Sequence, residues 1–101
     1  MNKYGAKRTN GYASKREAAR AAELKMLERA GEISNLKEQV RYELIPAQPG
    51  ERNVCYFSDF TYNDKAGNPV CEDVKGMKTP LYIVKRKLLL WVHGIKIREV
   101  K

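Results

Sequence analysis

Apolar residues recur along this chain with two different periods, and each change of period marks an element. In SKREAARAAELKMLERAG, residues 14–31, Ala18, Ala21, Ala22, Leu24, Leu27 and Ala30 fall at helical spacing. This predicts an amphipathic helix with one buried stripe. Ser14 suits its N-cap and Gly31 its end, because a serine oxygen accepts from free first-turn amides and glycine adopts the left-handed terminating turn. From Leu36 the period drops to two: Val40, Tyr42 and Leu44 alternate with Gln39, Arg41 and Glu43. The alternation predicts a half-buried strand stopped by Pro46 and the PAQPGE loop. NVCYFSDFTY reads as a second strand, NDKAGNP as a turn and VCEDVKG as a third strand, so residues 54–75 form a hairpin.

A second helix opens with Thr79 as N-cap and Pro80, whose missing amide does no harm in a first turn. Leu81, Val84, Leu88 and Trp91 make its apolar side, while Lys78, Lys85, Arg86 and Lys87 lie largely elsewhere. Gly94 ends it, and Ile95 and Ile97 alternate with Lys96 and Arg98 in a last short strand. The order α-β-β-β-α-β predicts a single α/β domain with a central mixed sheet flanked by helices. Tyr56 and Tyr62 read as packing residues, Trp91 as core edge and His93 as helix end.

Composition sharpens this picture. A chain of 101 residues, 43% hydrophobic and 32% charged, builds one modest core and is neither disordered nor divisible. Residues 1–13 are basic and lack an apolar period, which reads as a flexible arm ahead of a folded domain at 14–101. The net charge of +8 is uneven: residues 1–20 carry +5, residues 75–101 carry +7 and residues 21–74 carry −4. Two basic ends around an acidic middle suit a polyanion, against the plainer reading of a lysine-rich solvated surface. No apolar run reaches the roughly 20 residues of a membrane span and the start has no signal-peptide core, so an intracellular location is expected. Cys55 and Cys71 are the only cysteines and His93 the only histidine. Neither a disulfide framework nor a zinc set is expected, and both cysteines read as small strand residues.

The stretch CEDVKG, residues 71–76, puts two acids and a lysine inside a strand. Alternation sends Asp73 and Lys75 to one face and Glu72 and Val74 to the other. Across the hairpin Asp59 can approach Asp73, and two close carboxylates repel unless a cation or a proton lies between them. A hard divalent ion that keeps several waters needs only a few oxygen ligands. Lys75 would then orient the attacking water or stabilise phosphate charge. The competing reading is an ordinary surface hairpin with cross-strand ion pairs, each contributing roughly 0.2–1 kcal/mol.

Taken in order, Ser14-Lys15-Arg16-Glu17 on the first helix, Ser58-Asp59-Phe60 and Asp73-Val74-Lys75-Gly76 resemble the PD-(D/E)XK nuclease superfamily, and more narrowly its small phage and prophage members. The resemblance runs from about Tyr12 to Val100 and implies a restriction-endonuclease-like core. It implies that Asp59 is the first strand acid, Asp73 the second, Lys75 the lysine and Glu17 the helix glutamate, with Glu17, Asp59 and Asp73 as ligands of Mg²⁺ or Mn²⁺. The sequence departs from the family pattern at Ser58, where proline is usual, and at Asp73, where glutamate is commoner. Glu72 is a rival second acid, but alternation points it away from Lys75. Glu17 has a competing role, since Ser14-x-x-Glu17 is also a capping box. By the same resemblance Gln39 lies near a position where related nucleases place a polar active-site residue, against the favoured reading of an ordinary strand glutamine.

The expected activity is metal-dependent hydrolysis of DNA phosphodiester bonds in the cytoplasm of a bacterial host. A preference for branched DNA such as four-way junctions is a further expectation from small phage relatives, and symmetric cutting would require a homodimer. Lys7, Arg8, Lys15, Lys78, Lys85 and Lys87 are the candidate DNA contacts, through phosphates rather than bases. Two other readings stand beside this one: a DNA-binding module of the same fold without catalysis, and a phage structural or adaptor protein.

Overall fold

The structure, a computed structural model, describes residues 11–101. Helix α1 (Lys15–Arg29) is followed by strands β1 (Ser34–Ile45), β2 (Val54–Asn63) and β3 (Pro69–Val74), helix α2 (Pro80–His93) and strand β4 (Ile97–Val100). The expected α-β-β-β-α-β order is the observed one. The sheet runs β1-β2-β3-β4, antiparallel up to β3 and parallel between β3 and β4. The parallel pair requires a crossover, and α2 supplies it. The expected arm falls mostly on residues 1–10, outside the described residues, as do Lys7 and Arg8. Order extends ahead of Ser14, because Tyr12 packs against the α1 cluster and accepts a hydrogen bond from Lys25 Nζ at 3.1 Å.

The expected caps are present: Ser14 Oγ accepts from the Glu17 amide, Thr79 Oγ1 from the Tyr82 amide, and Gly94 closes α2 at φ 69°. Two clusters cover the sheet. One, under α1, holds Ala21, Leu24, Ile33, Phe60 and Tyr62; the other, under α2, holds Leu44, Tyr56, Cys71, Tyr82, Leu89 and Ile97. In a regular pleat Tyr56, Phe60 and Tyr62 would share a face, yet Tyr56 belongs to the α2 cluster and the other two to the α1 cluster. β2 therefore rolls over between them, at Ser58 and Asp59. The strand opposite carries the matching irregularity, for Gln39 is left-handed at φ 52°.

Both helices bury a different stripe from the one their spacing suggested. On α1 only Ala21 and Leu24 of the expected set are buried, joined by Glu17, while Ala22, Leu27 and Ala30 face water. On α2 the buried residues are Tyr82 and Leu89, whereas Leu81, Val84 and Trp91 are exposed and Leu88 is half-buried. Tyr82 wins because its hydroxyl reaches a partner: it donates to Glu99 Oε2 at 2.7 Å, so its ring enters the core without stranding a polar atom.

Glu72, at the centre of β3, is fully buried on the α1 side, as alternation required. Arg20 Nε and Nη2 donate to its two oxygens at 2.6 and 2.9 Å, and the Tyr62 hydroxyl donates to Oε2. Burial would raise this carboxyl, but the hydrogen bonds from Arg20 and Tyr62 outweigh it and hold the group below the ordinary range. Removing one member of a buried pair leaves the other charge uncompensated. Arg20→Ala is therefore expected to cost about 3–5 kcal/mol in urea denaturation, and adding Glu72→Gln should recover part of that loss. A double variant no more stable than Arg20→Ala would contradict the pairing account.

Candidate active site

Where β2 and β3 should continue to pair past Phe60 and Glu72, their acids take over. The last ladder partners on this side are Phe60 and Glu72. Beyond them the Asp59 amide donates to Asp73 Oδ1 at 3.3 Å and the Val74 amide donates to Asp59 Oδ2 at 2.9 Å. Each strand thus satisfies its backbone with the other's carboxylate, and the two carboxylates are held together at the opened end of the hairpin. Ser58 seals the break from below: its buried hydroxyl lies 3.0 Å from the Phe60 carbonyl and 3.2 Å from that of Glu72, both within donating reach. Proline, with no hydroxyl, would leave these carbonyls without that donor.

Asp73 is buried, and Lys75 Nζ stands 3.0 Å from its Oδ2. Beyond this ion pair, the buried oxygen has no hydrogen-bonding partner among the described residues. Lys75 lies one residue past β3, its amide donating to the Val100 carbonyl at 2.8 Å. Its ammonium sits 4.3 Å from the centre of the Tyr82 ring, a cation–π geometry that fixes the flexible side chain. Tyr82 is fixed in turn by Glu99, which also receives Arg86 at 3.0 Å and pairs with Lys78 at 3.1 Å. These partners, the Tyr82 hydroxyl first, hold the Glu99 carboxyl down to about 2.

Glu17 comes to the same place from α1. Its amide is capped by Ser14, as the capping box required, but its carboxylate is also an acceptor for Gln39 Nε2 at 3.4 Å. The same Gln39 nitrogen donates to Asp59 Oδ1 at 3.3 Å. Gln39 thus links Glu17 to Asp59, a role its exposed position in an alternating strand did not reveal. Left-handed backbone costs a non-glycine residue roughly 1–2 kcal/mol, so this side chain is held where it is by its surroundings. Asp59, Asp73 and Lys75 adjoin one another, Glu17 reaches Asp59 through Gln39, and Tyr82 lies against Lys75.

The electrostatics follow from crowding. Burial, with the neighbouring Asp73 and then Glu17, pushes Asp59 from 3.8 up to about 7. The buried Tyr56 phenol is likewise pushed well above its ordinary value, by burial and then by the charge of Asp73. A cation relieves such crowding, and Asp73 Oδ2, already beside the Lys75 ammonium, is the oxygen that stands next to Asp59. This pair fits a hard divalent ion that retains water ligands. Among the described residues, no three His, Cys, Asp or Glu side chains form a group able to hold a metal ion. The fit is therefore to a two-carboxylate site, with Glu17 reaching it through Gln39.

The predicted phosphate contacts divide. Lys15 and Lys87 are exposed, Lys85 is half-buried, and Lys78 is paired with Glu99. Lys75, Gly76, Lys78 and Lys101 line an open pocket of about 400 Å³ with Glu99 and Val100. Arg16 also lies against this turn, near enough that a Cβ on Gly76 would come within 2.9 Å of its guanidinium. No helix among the described residues is long and apolar enough to cross a membrane.

The whole chain, residues 1–101, matches the family model described as "Protein of unknown function (DUF1064)", and the chain belongs to that family. No curated protein and no solved structure matches it.

The raised Asp59 carboxyl has a measurable consequence in the metal-free protein. The folded chain holds this proton up to about pH 7, while the unfolded chain releases it near 3.8. Across that window the unfolded state binds fewer protons, so stability falls as pH rises. Thermal unfolding between about pH 4 and pH 8 should show wild type losing on the order of 1–3 kcal/mol relative to Asp59→Asn. Parallel curves for the two proteins would contradict the assigned shift.

Proposed function

We propose that this member of the DUF1064 family is a metal-dependent DNA endonuclease acting in the cytoplasm of a phage-infected or prophage-carrying bacterium. The observation that carries the reading is the Asp59–Asp73 pair, held by reciprocal backbone bonds with Lys75 Nζ 3.0 Å from Asp73. Two acids with a lysine beside them can supply what metal-assisted phosphodiester hydrolysis uses: ligands for a divalent ion and a positive group beside the reacting phosphate. Asp59 and Asp73 would hold Mg²⁺ or Mn²⁺, which when bound supplies Lewis-acid stabilisation of phosphate charge. Lys75, kept in place by Tyr82, faces the same carboxylates and stabilises charge on the phosphate. Glu17, through Gln39, keeps Asp59 oriented and offers a further acceptor for an ordered water.

The positive surface fits the same substrate. Lys75, Lys78 and Lys101 border one pocket, Arg16 flanks it, and Lys15 is exposed on the first turn of α1. Contacts of this kind bind the backbone without reading bases, so binding should weaken steeply with salt. One observation favours a second reading, a DNA-binding module without catalysis: the absence, among the described residues, of a three-ligand metal group. Binding of DNA in Ca²⁺ with no cleavage in Mg²⁺ or Mn²⁺ would select that reading.

Purified protein incubated with a labelled four-way junction and a matched linear duplex should cut in Mn²⁺ and not in EDTA. Asp73→Ala and Lys75→Ala should each lose at least about 100-fold in cutting rate while retaining DNA binding at low salt. Ser14→Ala separates the two roles of the first turn: it should cost about 1 kcal/mol of stability and leave cutting intact, whereas Glu17→Gln should impair cutting. Equal cutting by wild type and Asp73→Ala would contradict the assignment.

A further inference from the structure

Most of the strongest apolar period of α2 lies outside the core. Leu81, Val84, Leu88 and Trp91 lie about 130° around the helix from Tyr82 and Leu89, by the 3.6-residue turn. Leu81 is 63% exposed, Val84 52%, Trp91 84% and the adjacent Val92 48%, while Leu88 forms the inner edge of the stripe against the core. With an aromatic side chain carrying roughly 150–250 Å², the stripe amounts to on the order of 500 Å² of apolar surface, at the upper end of what monomers show to water. Doubled by a matching surface, it meets the roughly 1,000 Å² expected of a specific interface.

We infer that this stripe is a self-docking surface, at which α2 of one copy packs antiparallel on α2 of a second copy about a two-fold axis. The gaps along the stripe are three, four and three residues, a spacing that reads the same in both directions. A two-fold axis level with residue 86 therefore sets Leu81 of one copy against Trp91 of the other, and Val84 against Leu88. The a/d-type period of 3.5 is the one that keeps a seam facing a partner helix, and self-complementarity is what an isologous contact demands. The flanks carry a sign that makes the arrangement testable. Lys85 and Lys87 border the seam on opposite sides, so antiparallel docking brings each near its own symmetry mate. Like charges so placed repel in dilute buffer and are screened by salt. Self-docking should therefore tighten as salt rises, the opposite of a lysine-rimmed surface that receives an acidic peptide or DNA.

The inference does not depend on the chemistry at the carboxylates and is read without an activity assay. Trp91 is the single tryptophan, so its emission reports the seam directly. Sedimentation of the full chain over a concentration series should show a species of twice 11.6 kDa, favoured by added NaCl, with Trp91 emission shifting to the blue as it forms. Val84→Glu and Leu81→Glu, both at exposed positions, should keep the wild-type circular dichroism and stay monomeric, with emission typical of exposed indole. A monomer at every concentration and salt would overturn the inference. So would a dimer that survives both substitutions, forms without a change in Trp91 emission, or dissociates as salt is added.

Discussion

Everything distinctive about this fold depends on the exchange at the open end of the hairpin, where Asp59 and Asp73 each accept a backbone amide from the opposite strand. A sheet that simply ended here would leave amides to water and let the strands splay. Instead the carboxylates complete the pairing, and burial together with the closeness of Asp73 raises Asp59 to about 7. The same contact thus builds local structure and creates an electrostatic problem. A proton solves it at low pH; a divalent cation would solve it at neutral pH.

The rest of the molecule supports that end of the sheet. Ser58 holds the carbonyls beneath the break, Gln39 in its left-handed conformation joins Glu17 to Asp59, and Tyr82 lays its ring under Lys75. The neighbouring acids of β3 show how alternation divides labour. Glu72 turns to the α1 side and is neutralised there by Arg20 and Tyr62, leaving no free acceptor for a ligand. Asp73, one residue on, turns to the α2 side and keeps a buried oxygen without a hydrogen-bonding partner among the described residues. One acid is neutralised by Arg20 and Tyr62 within the fold, and the next is paired with Lys75.

Much of this was legible in the sequence because it rests on short-range rules. Caps at Ser14 and Thr79, the terminating Gly94, the turn between residues 63 and 69 and the two faces of CEDVKG all follow from local chemistry. What was not legible depends on the third dimension. The stripe Leu81, Val84, Leu88 and Trp91 has the better apolar period, yet Tyr82 takes the core side because Glu99, seventeen residues away, receives its hydroxyl. The rollover of β2 leaves its even-numbered alternation intact in sequence while sending Tyr56 and Phe60 to different clusters. Gln39 is an exposed residue in a polar-apolar alternation, which favoured an ordinary strand glutamine over the active-site position suggested by resemblance; its left-handed backbone and two carboxylate partners mark it out.

The role proposed for the Asp59–Asp73 pair is that of a cation site held ready by the backbone. It is tested most directly by following the Asp59 side-chain carboxyl by ¹³C NMR through a pH titration, with and without Mg²⁺. The account predicts an Asp59 midpoint near 7 in the metal-free protein, displaced to lower pH as Mg²⁺ is added, since metal and proton compete for the same oxygens. An Asp59 midpoint at the ordinary value of 3.8, or one near 7 that saturating Mg²⁺ leaves in place, would contradict it.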